Sequence, residues 1–373
     1  MIPTERAHLE VAAQSHPGMS GKNNEDRYAV SAFQLSREDT TPALLAVLCD
    51  GIGGHRAGEV AAELAVNAIT QGISASDAAY PVEILRRAVV AASEQIYESA
   101  QAEPGYRGMG ATCATTLIVG QRLYAAAVGD SRIYLLRAGQ IHQLTTDHTW
   151  IQEALDRGVL RPEQARGHPN AHVIRRYLGS PTPPEVDFRL RLRDEETAIQ
   201  AEENQGLGLL PGDRLLLCSD GLTDLVSAPE ILATINSQPP QAAANSLVEQ
   251  ANARGGHDNI TVVILGVPES AKTRPIVPLK KRSNRSWLLL GCAGLLVLVL
   301  AAAALLFGMG ILAVGPLFPG TPTPTPTLPP FLQTVLPPSG TQPPGPVPFI
   351  SPSPSLPGTF PAPPRPGVGT ASP

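Results

Sequence analysis

The chain has 373 residues, more than one average domain, yet more than half of its 38 prolines lie after residue 314 and leave about 265 residues for a folded part. A formal net charge of −5, with no basic patch except one just before an apolar stretch, argues against a nucleic-acid binder. The four cysteines, Cys49, Cys113, Cys218 and Cys292, sit in apolar runs without CxxC spacing and read as small buried hydrophobes, neither disulfides nor zinc ligands.

In chain order, the first strong signal is "ALLAVLCD" (43–50), a strand that ends in Asp50 and breaks at once into Gly51, Gly53 and Gly54. Alanine-rich helical patterns follow at about 57–73 and 81–101. Strands are expected at 114–120, 122–130 and 132–139, joined by short turns such as "GQ" and "AG". Residues 147–185 are polar, hold helix-like pieces and end in prolines, the marks of an inserted flap. A strand at 213–220, helices at about 229–236 and 240–253, and a strand at 259–267 complete the pattern. Hairpin links imply antiparallel sheets, and the long helices come in pairs. The expected fold is therefore an α/β (α+β) sandwich of two antiparallel sheets flanked by helix pairs, not a doubly wound parallel fold.

Three of these strands run into an aspartate, Asp50, Asp130 and Asp220, and a fourth begins just after Asp258. Between antiparallel neighbours the end of one strand and the start of the next share an edge, so the four carboxylates can converge. Glu25 and Asp26 in "GKNNEDRYAV" add a further acidic element. One aspartate in a turn is ordinarily a turn former or a helix cap. Several together repel one another unless cations neutralise them. Oxygen ligands without His or Cys select Mg²⁺ or Mn²⁺ over Zn²⁺. Two such ions lower the pKa of a water and offset charge on a phosphoryl group under attack, which is hydrolytic chemistry on phosphate esters. A nucleotide cyclase or polymerase is disfavoured by the lack of any GxxxxGK loop.

Six stretches carry a resemblance: "NNED" (23–26), "DGIGGHRAGEVAA" (50–62), "GMGATCATTLIV" (108–119), "AVGDSRIYLLRAGQIHQLTTDH" (127–148), "LLCSDGLTDLV" (216–226) and "GGHDNITVVIL" (255–265). In order and spacing they resemble the protein phosphatase 2C family, the metal-dependent PPM class in its bacterial form, over about residues 9–267. The resemblance implies a β-sandwich flanked by helix pairs and a serine/threonine phosphoprotein phosphatase using two Mn²⁺ or Mg²⁺ ions. It implies that Asp50 bridges both metals, that the Gly51 carbonyl is a further ligand, that Asp220 and Asp258 hold one metal, and that Glu25 lies at the other. Asp50, Asp220 and Asp258 are then the catalytic residues, and Asp130 in "GDSR" matches the residue associated with a third, more weakly held ion. Gly53 and Gly54 are expected to keep the approach to the metals open.

Two positions depart from the family. The arginine usually found four residues before the Glu of "NED", which grips the substrate phosphate, is Gly21 here. Lys22 is the candidate phosphate-binding residue in its place, with Arg27 also near, although Lys lacks the bidentate fork. Ile52 stands where many eukaryotic members have His. His148 reads as a structural hydrogen-bonding partner at the base of the flap. Arg175 and Arg176 on the flap read equally as a solvated face or a phosphoprotein contact.

Residues 287–314 carry no charge and as a helix would be about 40 Å long, enough to cross a membrane. Lys280, Lys281, Arg282 and Arg285 precede this span, whereas Arg365 is the single charge after it, so the N-terminal part is expected to be cytoplasmic. The start "MIPTERAHLE" lacks the apolar core of a signal peptide, in agreement. The expected organisation is a phosphatase domain (1–267), a basic juxtamembrane linker (268–286), one transmembrane helix (287–314) and a Pro-rich disordered extracytoplasmic tail (315–373). The resemblance implies phosphoprotein substrates and, as partner, a bacterial transmembrane Ser/Thr kinase whose phosphosites are reversed. A catalytically weak phosphoprotein-binding scaffold is the alternative, motivated by Gly21.

Overall fold

A computed structural model of the chain describes residues 1–53, 57–165 and 168–269. The expected membrane span, nearly all of the basic linker, the proline-rich tail, Gly54 and Cys292 lie outside the described residues. Among the described residues no helix is long and apolar enough to cross a membrane.

The chain opens with β1 (Ile2–Pro3), β2 (Glu10–His16), β3 (Arg27–Gln34), β4 (Pro42–Cys49) and the short β5 (Gly51–Ile52). The helices α1 (Ala57–Ser74) and α2 (Pro81–Ala102) follow. Five strands come next: β6 (Gly110–Ala111), β7 (Cys113–Val119), β8 (Arg122–Val128), β9 (Arg132–Arg137) and β10 (Gln140–Gln143). The flap holds α3 (Trp150–Asp156) and α4 (Pro162–Ala165). After it come α5 (Ala198–Glu203), β11 (Leu207–Gly208), β12 (Arg214–Cys218), α6 (Asp220–Thr223), α7 (Ala228–Ser237), α8 (Pro240–Ala253) and β13 (Ile260–Gly266).

The strands form a six-stranded sheet, β1-β3-β4-β7-β8-β11, and a five-stranded sheet, β10-β9-β12-β13-β2, with β5 and β6 as a separate pair. Every pairing is antiparallel. The strand β4 shows why the sandwich closes. Its side chains alternate between faces with period two, and both faces are apolar. Leu44, Ala46 and Leu48 meet Leu215, Leu217, Val263 and Leu265 of the other sheet, while Ala43, Leu45, Val47 and Cys49 meet the helices.

Each outer face is covered by one helix pair. Ala61, Ala62, Ala65, Val66, Ile69 and Ile73 recur at three- and four-residue spacing along α1, and α2 turns Leu85, Ala88, Val89, Ala92 and Ile96 to the same cluster. On the opposite face, Ile231 and Ile235 of α7 and Leu247, Val248 and Ala251 of α8 cover Leu216, Cys218, Val262 and Ile264. A capping box between Ser227 and Glu230 starts α7. Cys49, Cys113 and Cys218 are free and buried, as their apolar settings imply.

Two differences from the sequence reading bear on the site. The strands expected to run to Asp130 and Asp220 stop earlier, at Val128 and Cys218, and Asp220 instead opens α6. The strands β2 and β3 carry no clear alternation in the sequence, because Ala12 and Phe33 are their only fully buried residues. Leu48 is fully buried between the sheets. Leu48→Ala is expected to cost about 2–5 kcal/mol, read as a lowered midpoint in urea unfolding with an unchanged slope.

Candidate metal centre

Asp50 leaves β4 with its backbone fixed on both sides. Its N–H donates to Thr112 Oγ1 (3.0 Å), and its carbonyl accepts from the Thr112 N–H (2.8 Å). Thr112 Oγ1 lies 2.7 Å from Ser131 Oγ, and Gly51 pairs with Ala111 across β5 and β6. A carboxylate held this way is positioned before any ligand arrives.

The other acidic groups reach the same edge from separate elements. Asp258 precedes β13, and its Oδ1 accepts from the Asn259 N–H (2.9 Å). Buried Asn259 takes the Glu25 N–H on its Oδ1 (2.7 Å) and donates its amide to the carbonyls of Pro17 and Asn23, both at 3.1 Å. One side chain thus ties the loop bearing Glu25 to the start of β13. Asp26 is 2% exposed; its Oδ2 accepts from Ser219 Oγ (2.8 Å), and its Oδ1 has no partner. Neither Asn259 nor Asp26 is a site residue in the sequence reading, although both lie inside the quoted motifs. Each works through burial, which the sequence does not display.

Electrostatics shows that these carboxylates share one centre. Burial, and then the charges of Asp26, Asp220, Asp130 and Asp258, push the Asp50 carboxyl far above the usual carboxylate range. Burial first and neighbouring carboxylates second raise Asp26 to about 7, Asp130 to about 8 and Asp220 to about 6. Glu25 is raised by burial and by Asp258, an effect that nearby Lys22 opposes. Asp220 Oδ1, like Asp26 Oδ1, is buried without a hydrogen-bond partner. An all-oxygen donor set with orphaned buried lone pairs fits hard divalent cations such as Mn²⁺ or Mg²⁺.

The first turn of α1 forms the wall of this centre. A Cβ on Gly58 would lie 2.5 Å from Glu25 Oε2 and 2.8 Å from the Gly51 carbonyl oxygen, so only a residue without a side chain fits beside these two oxygens. Gly53 has a different role from the open approach expected of it: a Cβ there would lie 2.8 Å from the Gly58 N, so it lets the loop pack against α1. The residue that keeps space beside the oxygens is Gly58.

The flap joins the same edge through His148. Its Nδ1 accepts from the Gly129 N–H (3.0 Å), which leaves the proton on Nε2 to donate to Asp187 Oδ2 (3.1 Å). Burial pushes the Asp187 carboxyl up, but hydrogen bonds from His148 and Arg189 outweigh it and hold the group well below the usual carboxylate range. With both nitrogens engaged, His148 is a positioning residue that pins the flap beside Asp130. Arg175 pairs with Glu153 and Arg176 with Glu185 at 3.5 and 3.4 Å, both partly exposed.

The model of the protein phosphatase 2C family matches residues 15–154. Residues of this chain are 36% identical over 271 positions to the serine/threonine protein phosphatase PstP of Mycobacterium tuberculosis, covering 72% of this chain and 47% of that one. They are 34% identical over 267 positions to the protein phosphatase PhpP of Streptococcus pneumoniae, covering 70% and 98%. The chain belongs to the protein phosphatase 2C family. It spans about half the length of the mycobacterial relative. A crystal structure of the PstP catalytic domain in complex with 2 manganese ions superposes with a TM-score of 0.56 at 35% identity, covering 70% of this chain and 98% of that one.

As a protein phosphatase 2C member, the chain has an open position where the phosphate-gripping arginine is expected. Gly21 has φ +74° and nothing within 4 Å of its missing side chain. Arg27 is not free to replace that arginine. Its guanidinium is bound by Glu59 (2.5 Å) and by the carbonyls of Asn24 (2.9 Å) and Asp26 (2.8 Å). Lys22 is exposed and close enough to Glu25 to oppose the rise of its pKa.

Two outcomes follow. Asp26, Asp130 and Asp220 have folded-state values above their unfolded value, so their contribution to metal-free stability is full below about pH 4 and lost as pH rises through about 6–8. Chelator-treated protein should therefore melt at a lower temperature at about pH 8 than at about pH 5.5, with Mn²⁺ reversing the loss at the higher pH; equal melting of the metal-free form at both would refute the clustering. Gly58→Ala should favour the helix intrinsically by up to about 1 kcal/mol, yet lower Mn²⁺ affinity by at least about tenfold in calorimetry, because the new methyl displaces Glu25 or Gly51.

Proposed function

We propose that this chain is a metal-dependent phosphatase acting on phosphoserine and phosphothreonine in proteins. The observation that carries the reading is the group of carboxylates Asp26, Asp50, Asp130 and Asp220, whose ionisation burial and mutual repulsion oppose and a bound cation would favour. Asp50 would bridge two Mn²⁺ or Mg²⁺ ions, with the Gly51 carbonyl as a further ligand, Asp220 and Asp258 on one ion and Glu25 at the other. Asp130 is assigned to a third, weaker ion. The two manganese ions in the PstP catalytic domain support this number. When bound, the ions supply a water of lowered pKa and offset phosphoryl charge.

The protein's own groups do the rest. Thr112 and Asn259 hold Asp50, Glu25 and Asp258 in place, so little reorganisation is needed when substrate binds. Lys22 attracts the phosphate as a point charge without the bidentate grip of an arginine. Raising a weak phosphate affinity is a task for effective concentration, and this is the reason assigned to the expected tether. The domain (1–267) is placed in the cytoplasm, joined by the basic linker 268–286 to a single membrane helix at 287–314, with the tail 315–373 outside. The charge asymmetry about the span supports this orientation. A membrane Ser/Thr kinase and its targets are the assigned partners.

The scaffold reading is favoured by one observation, the combination of Gly21 with an engaged Arg27. Phosphate release from phosphoserine and phosphothreonine peptides by the full-length protein, with Mn²⁺, Mg²⁺ or chelator, separates the two. Metal-dependent release that falls at least about a hundredfold in Asp50→Ala, and a KM raised about tenfold in Lys22→Ala with kcat kept, are expected. Peptide binding with no release under any metal would instead establish the scaffold. Membrane fractionation with and without residues 287–314 tests the tether, which predicts that only the shortened chain is soluble.

A further inference from the structure

Two cysteines meet directly behind the acidic edge, where β4 ends and β7 begins. Leu48 pairs with Ala114 and Gly51 with Ala111, so one unbroken register runs from the sheet into the short β5–β6 pair. That register sets Cys49 directly opposite Cys113. The hydrogen bonds decide what kind of pair they form. The Gly120 N–H donates to the Pro42 carbonyl and the Thr112 N–H to the Asp50 carbonyl, both at 2.8 Å, so the hydrogen-bonded rungs fall at every second residue from Pro42 to Asp50. Cys49 and Cys113 therefore make up a non-hydrogen-bonded rung, the kind in which opposed side chains stand closer.

In such a rung the Cα atoms are about 4.5 Å apart, inside the range of about 4.4–6.8 Å that a disulfide spans. Both side chains belong to the cluster beneath α1 and α2, and the Cys113 thiol is a hydrogen-bonding neighbour of Cys49. Both thiols are free. Cys218 differs, because it is buried on the opposite face of the sandwich, under α7 and α8. The next rung beyond the pair is the one that holds Asp50 to Thr112. Opposed residues have Cβ atoms about 4.5–5.5 Å apart, whereas a disulfide brings them to about 3.5–4.5 Å. Closing the bond would draw the strands together beside Asp50, and a close-packed interior passes such a shift on.

We propose that Cys49 and Cys113 are an oxidisable dithiol whose disulfide, formed by a peroxide, shifts Asp50 and weakens metal binding at the acidic centre. One peroxide molecule per chain balances the reaction. The first sulfur attacks a peroxide oxygen and breaks the O–O bond, giving a sulfenic acid and one water. The second sulfur attacks the sulfenic sulfur and breaks its S–O bond, giving the disulfide and a second water. Each sulfur loses one electron, each peroxide oxygen gains one, and the two thiol protons leave in the water. Contact between the sulfurs lets the second step overtake further oxidation of the first. The effect on metal rests on the reading of the acidic centre as a cation site; formation of the bridge does not.

Reduced full-length protein treated with hydrogen peroxide tests both parts. Peptide mass analysis without reductant should show a Cys49 peptide joined to a Cys113 peptide and released by dithiothreitol. The same product is expected from Cys218→Ala, and none from Cys49→Ala or Cys113→Ala. In calorimetry the oxidised wild type should bind Mn²⁺ at least about tenfold more weakly than the reduced protein and recover with dithiothreitol, while Cys113→Ala keeps its affinity under peroxide. Linkage requires the reciprocal effect: saturating Mn²⁺ should favour the dithiol by the same factor in glutathione redox buffers, about 30 mV for tenfold. Thiols that stay free, or that pass to sulfinic acid without a joined peptide, would overturn the dithiol. A joined protein with unchanged Mn²⁺ affinity would overturn its action on the centre. Reduced protein that binds no Mn²⁺ would sink the reading of the centre itself and leave the joined peptide to decide the dithiol.

Discussion

Like-charged carboxylates buried at one edge of the sandwich set the terms for everything around them. Water is withdrawn from Asp26, Asp50, Asp130 and Asp220, and their charges repel, so each loses its proton less readily than an ordinary carboxylic acid. Burial of this kind costs stability unless a cation reverses it. A fold that keeps such a group has to hold it rigidly, because small relaxations would let the carboxylates separate and admit water. The surrounding structure supplies that rigidity with neutral groups, Thr112, Ser131, Ser219 and Asn259. Neutral hydrogen-bonding partners fix the carboxylates without quenching their charge, which stays available to a metal.

The core explains how the edge is kept in place. Because β4 is buried on both faces, a slip of one residue would exchange the set that meets the helices for the set that meets the other sheet. Asp50, one residue beyond that strand, inherits its register. The pairing of Cys218 with Val262 does the same for Asp220 and Asp258, which lie just past the paired ends of β12 and β13. Apolar packing and register thus set the positions of polar groups that by themselves repel.

The flap is attached to this frame at its base. His148 receives the Gly129 N–H and donates to Asp187, and its carbonyl takes the N–H of Arg175, so both ends of the flap meet next to Asp130. Between those ends the flap carries more polar and exposed residues, His172 among them. Segments with few buried contacts move more easily than the core that holds them.

The sequence by itself determined the apolar periodicities, hence the two sheets and the helix pairs, and it showed Asp50, Asp130, Asp220 and Asp258 at strand ends with Glu25 nearby. These features were legible because alternation, helical spacing and glycine-rich breaks are local patterns. The weakly patterned β2 and β3 were not, since each has a single fully buried residue. The tertiary structure alone decided that Arg27 is committed to Glu59, that Gly58 and not Gly53 stands beside the Glu25 and Gly51 oxygens, and that Asp26 is buried within the centre. It also brought His172 to Asp224, 52 residues further along the chain. Each of these depends on which distant groups share a few ångströms of space, and that follows from packing, not from the order of residues along the chain.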